Sequence, residues 1–496
     1  FRSVARRVPT NESEILPQLM KFILIPQLEK HSALRYTATL IVGRFNLWMN
    51  NHPDFIKPLL TFVVAGLSND ILLVVSSAAY AFNYVCMGCA EKLASGEKYL
   101  QALFDVYNRS RNLRIQERKE IVEGVTAVIA KLPIEGGVYL QALTGLIKPL
   151  VQVLHGSLET KDVQNDERKT KVSHALDLIA QSFMTLPDGV GCEQVSLILR
   201  DLNPTLDRIM LRYLQEDALM ERVCRCWKYG IRASKLYFKP MLVPLLTKLA
   251  KLFPEYPHSS FLYIVCVCVN EFGSIPEYHP LMQKAYVAFS RHGMATLKSA
   301  EDFRQNPDVV GDFFDMQKRY LVHCPNIVFS SQDIIPHVFQ CAVTGIGVQH
   351  KDACSMLMKF FATFIKIGSE IQKGIRKIEN GNGVDLVQKI MVHFGENLSV
   401  GLLQCIAGKV PSSRNVFVIE VVEALIVHCR GAAQMWFQKA LTKLPPTENP
   451  NHKQFLFALF QQPQPQGGGR PEHKAFSRSI KEAVRDFSAA SRSKLR

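Results

Sequence analysis

The sequence predicts an all-α solenoid on three observations: helical apolar spacing that recurs along the whole chain, proline-marked stops between the stretches, and a near absence of strand-like alternation. Apolar residues return every three or four positions, with Pro, Gly, Asn or Asp clusters between stretches. Several stretches close on a proline, at Pro53, Pro133, Pro187, Pro325, Pro411 and Pro445. Proline lacks the N–H a helix needs and pushes the preceding residue out of helical geometry, so each is a stop. First helices read as beginning near His31, Ile71, Arg114, Arg168, Asp217, His258, Asn306, His350 and Arg414. Their spacing, roughly 40 to 55 residues with one longer, is that of HEAT and armadillo units. The uneven lengths favour HEAT over ankyrin or tetratricopeptide repeats. One such unit cannot bury its apolar stripe alone, and stacking on neighbours supplies the core.

The expected organisation is therefore a HEAT-repeat α-solenoid over residues 1–460, with about nine helix pairs. A Gln/Pro/Gly-rich stretch over 461–471 reads as a flexible linker. Residues 472–496 read as a basic amphipathic helix with Phe476, Ile480, Ala483, Val484 and Phe487 on one face. It is expected to cap the solenoid, with a nucleic-acid or membrane-binding tail as the alternative.

At 496 residues the chain exceeds one compact core, and 47% apolar residues exclude wholesale disorder. The longest apolar runs, such as Phe261–Val269, are too short to cross a bilayer, so no membrane insertion is expected. No secretory signal is visible, since Arg2, Arg6 and Arg7 lead into no hydrophobic stretch. The absence of an initiator Met before Phe1 reads as a fragment. Twelve cysteines, most inside apolar helical patterns, suit a reducing compartment. Cys86 and Cys89 have the spacing of half a zinc site, but no second pair follows at a suitable distance. They read as packing residues, and no metal or other cofactor is expected. The formal charge of +15 attracts polyanions without choosing among nucleic acid, anionic lipid and phosphoprotein.

No phosphate-cradling Gly loop, nucleophile elbow, His-Glu-x-x-His helix or calcium loop is present, and the Gly-rich stretch at 379–383 fits none of them. His323, His393 and His428 stand singly. No enzyme is expected. One segment stands out, from Glu221 to Lys235. At helical pitch Arg222, Arg225, Lys228, Arg232 and Lys235 share an arc of roughly 140°. Val223, Cys226, Trp227, Gly230, Ile231 and Ser234 occupy the opposite arc. Like charges at three- and four-residue spacing repel, and Glu221 is the one flanking acid. A face left that way points to an anionic partner, where a merely solvated face would mix signs.

The same segment, Glu221-Arg-Val-Cys-Arg-Cys-Trp-Lys-Tyr-Gly-Ile-Arg232, resembles the arginine-rich helix of transportin-SR-type receptors in the importin-β family. Further similar stretches follow the family's order: Leu34–Thr37, Ser260–Tyr263, Asn270–Gly273, Asn306–Val310, His350–Ala353, Trp436–Pro445 and Val484–Phe487. Importin-thirteen-type receptors are the nearest relatives. The resemblance implies a superhelix whose concave face holds Arg-Ser-rich splicing-factor cargo. It also implies passage by nucleoporins between cytoplasm and nucleus, with release by Ran-GTP. Carried over by position, Arg222, Arg225, Lys228 and Arg232 become the phosphate contacts, with Lys235 on the same arc. Lys228 stands where the family tends to have Arg, keeping the charge but losing the planar fork. Family members run to about twice this length, are typically acidic, and hold their main Ran-binding surface in N-terminal repeats. Three readings follow: an import receptor for phosphorylated Arg-Ser cargo, an importin-thirteen-like receptor with other cargo, and a HEAT scaffold for nucleic acid. Nucleic acid is not expected as the primary ligand.

Overall fold

The computed structural model describes residues 4, 5, 7–25, 31–159, 165–379, 383–444, 452–461 and 470–492. Most of the linker read at 461–471 lies outside the described residues. Every regular element among the described residues is helical. The chain divides into two compact units, Phe1–Pro240 and Met241–Arg496.

In the first unit the stacking helices, in chain order, are α1 (Ser32–Arg44), α2 (Ile56–Gly66), α3 (Leu72–Gly88), α4 (Glu97–Arg109), α5 (Ile115–Ile129), α6 (Val138–Leu158), α7 (Asp166–Thr185), α8 (Cys192–Arg212) and α9 (Asp217–Ser234). The odd-numbered helices form one row, each packed on the next. The even-numbered helices form a second row, each lying against the first-row helix that follows it.

The second unit repeats the arrangement. Its helices are α10 (Ser259–Phe272), α11 (His279–Thr296), α12 (Pro307–His323), α13 (Ile335–Thr344), α14 (Lys351–Gln372), α15 (Gly383–Gln404), α16 (Asn415–Thr442), α17 (His452–Phe460) and α18 (Arg470–Arg492). Here α10, α12, α14 and α16 form the continuous row. Edge-to-face aromatics tie the rows together: the Phe339 ring of α13 lies 5.1 Å from Phe361 and 5.0 Å from Phe364 of α14.

The starts read from the sequence sit where these first-row helices begin. His31, Ile71, Arg114, His258, Asn306, His350 and Arg414 are the residues just before α1, α3, α5, α10, α12, α14 and α16. Asp217 opens α9, and Arg168 lies in the first turn of α7. At that turn the Asn165 side chain accepts the Arg168 N–H at 2.9 Å, and Asp166 and Glu167 face the positive end of the helix dipole.

Two stretches, Glu135–Leu158 and Gly383–Lys409, are long and apolar enough to cross a membrane by length and composition. Reading single apolar runs overlooked them because scattered polar residues interrupt each. In the structure α6 packs on α7 and α8, and α15 packs on α13 and α16.

The helix α18 buries Phe476, Ile480, Val484 and Phe487 against α16, α17 and the π-turn Cys405–Lys409. Ser488 Oγ donates to the Ile406 carbonyl at 2.9 Å and Arg492 to the Val410 carbonyl at 2.6 Å. Carbonyls left over where α15 ends are satisfied in this way.

Candidate functional site

The helix α9 is clamped by its apolar arc. Val223, Cys226, Trp227, Gly230, Ile231 and Ser234 are buried. Trp227 Nε1 donates to Asn203 Oδ1 of α8 at 3.0 Å, and Cys226 Sγ reaches the Leu176 carbonyl of α7 at 3.3 Å. At Gly230 the two helices touch: a Cβ there would lie 2.6 Å from a Leu199 methyl, closer than real Cβ contacts come. Any larger residue there would have to push the Leu199 side chain aside.

The opposite side of α9 carries the cations. Arg222, Arg225, Lys228 and Tyr229 are half-exposed, and Arg232 is exposed. The sequence therefore placed four of its five cations correctly on one open face. The Tyr229 ring stands between two of them, 6.0 Å from the Arg225 guanidinium and 5.4 Å from the Lys228 ammonium, within cation–π reach.

Two expectations need correction. Lys235 does not continue the arc, because α9 ends at Ser234. Lys235 has φ 51 and ψ −133 and opens a 3₁₀ turn through Phe238, with its Nζ 3.7 Å from Asp188. The cations also have more counter-charge than Glu221. The carboxylate of Asp177, on α7, sits 3.5 Å from Arg222 Nε and 3.6 Å from Arg225 NH1, and takes a closer contact at 2.9 Å from Lys119 Nζ of α5. Glu221 itself lies 3.8 Å from Arg225. A reading of one helix by itself misses a neutralising group that arrives from its neighbour in the stack.

Asp177 is thus the hub of a cluster that draws on three successive first-row helices. Although partial burial works against its charge, Glu221 and Asp177 hold the Arg225 guanidinium above its ordinary range. His174, one turn before Asp177, goes the other way: burial and then Arg118 push the imidazole below its usual range, with Asp177 opposing. Lys119, Arg118, His174 and Asp177 were not singled out from the sequence. A signal did exist, because Asp177 is the one carboxylate in the apolar run Val172–Phe183 and needed a partner.

The rest of the chain offers little chemistry. Cys86 and Cys89 are buried, and burial pushes both thiols up, Cys89 to about 12, which disfavours the thiolate a metal needs. No group of three or more His, Cys, Asp or Glu side chains is placed to hold a metal among the described residues. A cavity of about 570 Å³ between α1 and α3, lined by Tyr36, Arg44, Tyr80 and Tyr84, contains none of the α9 cations.

Comparison with known proteins bears on this geometry. Residues 194–297, which contain α9, match the family model described as the Transportin-3/Importin-13 fourth TPR domain. Residues 13–106 match the third TPR domain of the same description. Transportin MOS14 of Arabidopsis thaliana is 24% identical over 465 residues, covering 90% of this chain and 45% of that protein. Importin-13 of Mus musculus is 22% identical over 459 residues, covering 89% and 45%. A solved structure of importin-13 in its cytosolic state superimposes with a TM-score of 0.79 at 16% identity, over 99% of this chain and 54% of that one. Over these stretches the chain is similar to importin-13 and transportin relatives.

The chain spans about half the length of these curated relatives. The structural likeness establishes an α-solenoid of helical repeats. The family descriptions name the repeats TPR. The first helices here recur at intervals longer than the 34 residues of that repeat and nearer to HEAT spacing.

Proposed function

We propose that this chain is the cargo-holding portion of a nuclear import receptor, and that its cargo presents a phosphorylated Arg-Ser segment of a splicing factor. The supporting observation is the open face of α9, where Arg222, Arg225, Lys228 and Arg232 stand together inside a segment matched to the transportin and importin-13 family. Lys235, expected on the same arc, lies one residue beyond the helix beside Asp188 and is not part of this face. Phosphoserine carries nearly two charges and three acceptor oxygens, so several cations on one face can share it. In the cell such a receptor takes up cargo in the cytoplasm, passes the nucleoporins and releases cargo to Ran-GTP in the nucleus.

The test is binding of synthetic Arg-Ser peptides with and without phosphoserine to the purified chain. The expected result is strong preference for the phosphorylated form. Lys228→Arg, which supplies a planar fork for bidentate contact, should hold or raise that affinity. Equal binding of both forms would sink the Arg-Ser reading. It would favour the second one, a receptor for other cargo, which the near-equal identities to transportin MOS14 and importin-13 keep in view. Tight binding of nucleic acid with steep salt dependence would instead favour the scaffold reading.

A further inference from the structure

We propose that Lys119 of α5, together with Arg222 and Arg225 of α9, forms a phosphate cradle organised by the Asp177 carboxylate. The proposal rests on the phosphopeptide reading above and extends its site to a helix two repeats before α9.

The charge balance is the first argument. One carboxylate, with its side chain 7% exposed, faces three cations whose side chains are 22%, 30% and 28% exposed. With Glu221 3.8 Å from Arg225 counted as well, three cations face two carboxylates, and the positive charge left over favours an anion such as a phosphomonoester. Geometry is the second argument. All three cationic groups converge on one oxygen pair, 2.9, 3.5 and 3.6 Å away, so their heads are already gathered over α7. Held apart from any carboxylate, three such cations would repel one another and disperse. Asp177 is therefore a positioning residue, and the cations are the contacts.

Unspent hydrogen-bonding capacity is the third argument. Arg222 Nε and Asp177 Oδ1 are both shielded from solvent, yet neither makes a hydrogen bond. Their separation of 3.5 Å is an ion pair too long to satisfy either atom. Arg222 NH1 donates to the Ala218 carbonyl at 2.7 Å, which pins the guanidinium, and the 30% of the side chain that is exposed is the part a phosphate could meet. Lysine suits the third position because its ammonium is a compact charge that needs no set plane.

The probe is a synthetic Arg-Ser peptide carrying one phosphoserine, compared with its unphosphorylated twin by fluorescence anisotropy on the full chain. Lys119→Gln should weaken phosphopeptide binding about tenfold, the scale of one charge-assisted contact. Binding of the unphosphorylated twin should stay where it was, and Lys119→Arg should retain the parent's ratio between the two. Because Lys119→Gln removes a partner from a buried carboxylate and could unfold the unit, a second measurement uses the parent protein. Acetylation of Lys119 by an activated acetyl ester, whose leaving group departs as the amine acylates, should be slowed by the phosphopeptide and not by the twin. If the Gln variant keeps the parent's ratio, or if both peptides leave acetylation unchanged while the parent still prefers phosphate, Lys119 is a structural partner of Asp177 and the cradle is overturned. If the parent shows no preference for phosphate, the cradle and the reading beneath it fall together.

Discussion

The first-row helices α9 and α12 both set cations beside a carboxylate, and they differ in where that carboxylate comes from. On α12 it is local: Asp315 accepts a hydrogen bond from Arg319 at 2.7 Å and forms an ion pair with Lys318 at 2.8 Å, four and three residues along the same helix. Despite its burial, those two contacts hold the Asp315 carboxyl below its ordinary range. Asp308 and Asp312 add further acid to the helix. On α9 the carboxylate is borrowed from α7, stands more than 3.4 Å from both arginines, and is shared with α5. Lys228 and Arg232 then add charge beyond it. A helix that balances its own charges is holding its place in the stack. On α9 two arginines and Lys119 share Asp177 at unequal distances, Glu221 lies 3.8 Å from Arg225, and Arg232 stands exposed, an arrangement open to an anion from outside the fold.

The largest expected effect separates the two helices directly. Replacing Arg222, Arg225 and Arg232 together by Ala should weaken phosphopeptide binding by at least about a hundredfold, allowing for non-additivity. The paired change Lys318→Ala with Arg319→Ala should leave it unaltered. Helicity should hardly move in the triple variant, while its melting temperature should fall because the buried Asp177 loses two of its three cationic partners, so binding is compared at a temperature where both proteins are folded. Comparable losses from both sets would erase the distinction.

A middle-sized effect sharpens the structural side. Asp315→Asn should lower stability by about 1–3 kcal/mol, the scale of hydrogen bonds to charged groups. Because folding lowers this carboxyl, its contribution is fully present above the unfolded value near pH 4. It is lost as pH falls through the folded value. Denaturant melts should therefore show parent and variant apart at pH 7 and converging as the pH falls below the ordinary carboxylate range, with phosphopeptide affinity unaffected at pH 7. A gap that persists at low pH would mean that packing, not charge, made the difference.

The smallest effect lies beside the cation cluster. His174 of α7 is surrounded by Arg118 and Lys119 of α5, Asp177 of its own helix and Arg222 of α9, and its folded value is depressed. A base lowered in this way binds fewer protons folded than unfolded, so stability is full above about pH 6.5 and falls as the pH drops below it. His174→Gln should remove part of that acid sensitivity, by about 1 kcal/mol or less. Melting curves between pH 7 and pH 5 would show whether the slope changes, and an identical slope would mean the imidazole is not confined by its neighbours.

How far the sequence carried depended on range. First-row helix starts such as His31, Ile71 and His350 were legible because caps and prolines act on the residue beside them. The open arc of Arg222, Arg225, Lys228 and Arg232 was legible because helical periodicity is local too. Lys235 was misplaced by a single backbone angle, which periodicity does not encode. Asp177 lies 45 residues before Arg222, and only the stacking of α7 on α9 brings them together. Lys119 is farther still, and its place at the same carboxylate follows from two successive helix contacts that no pattern within either segment announces.

Asp177 has one more consequence. Because α5, α7 and α9 pack chiefly in succession, each could rock against its neighbour, as in a stack whose main contacts are nearest-neighbour. A single carboxylate gripped from both sides joins the outer two through the middle one. An anion that settled there would tighten all three at once. Backbone amides of α5, distant in sequence from α9, should then exchange with deuterated water more slowly when the ligand is bound, and the stack would register occupancy as stiffness.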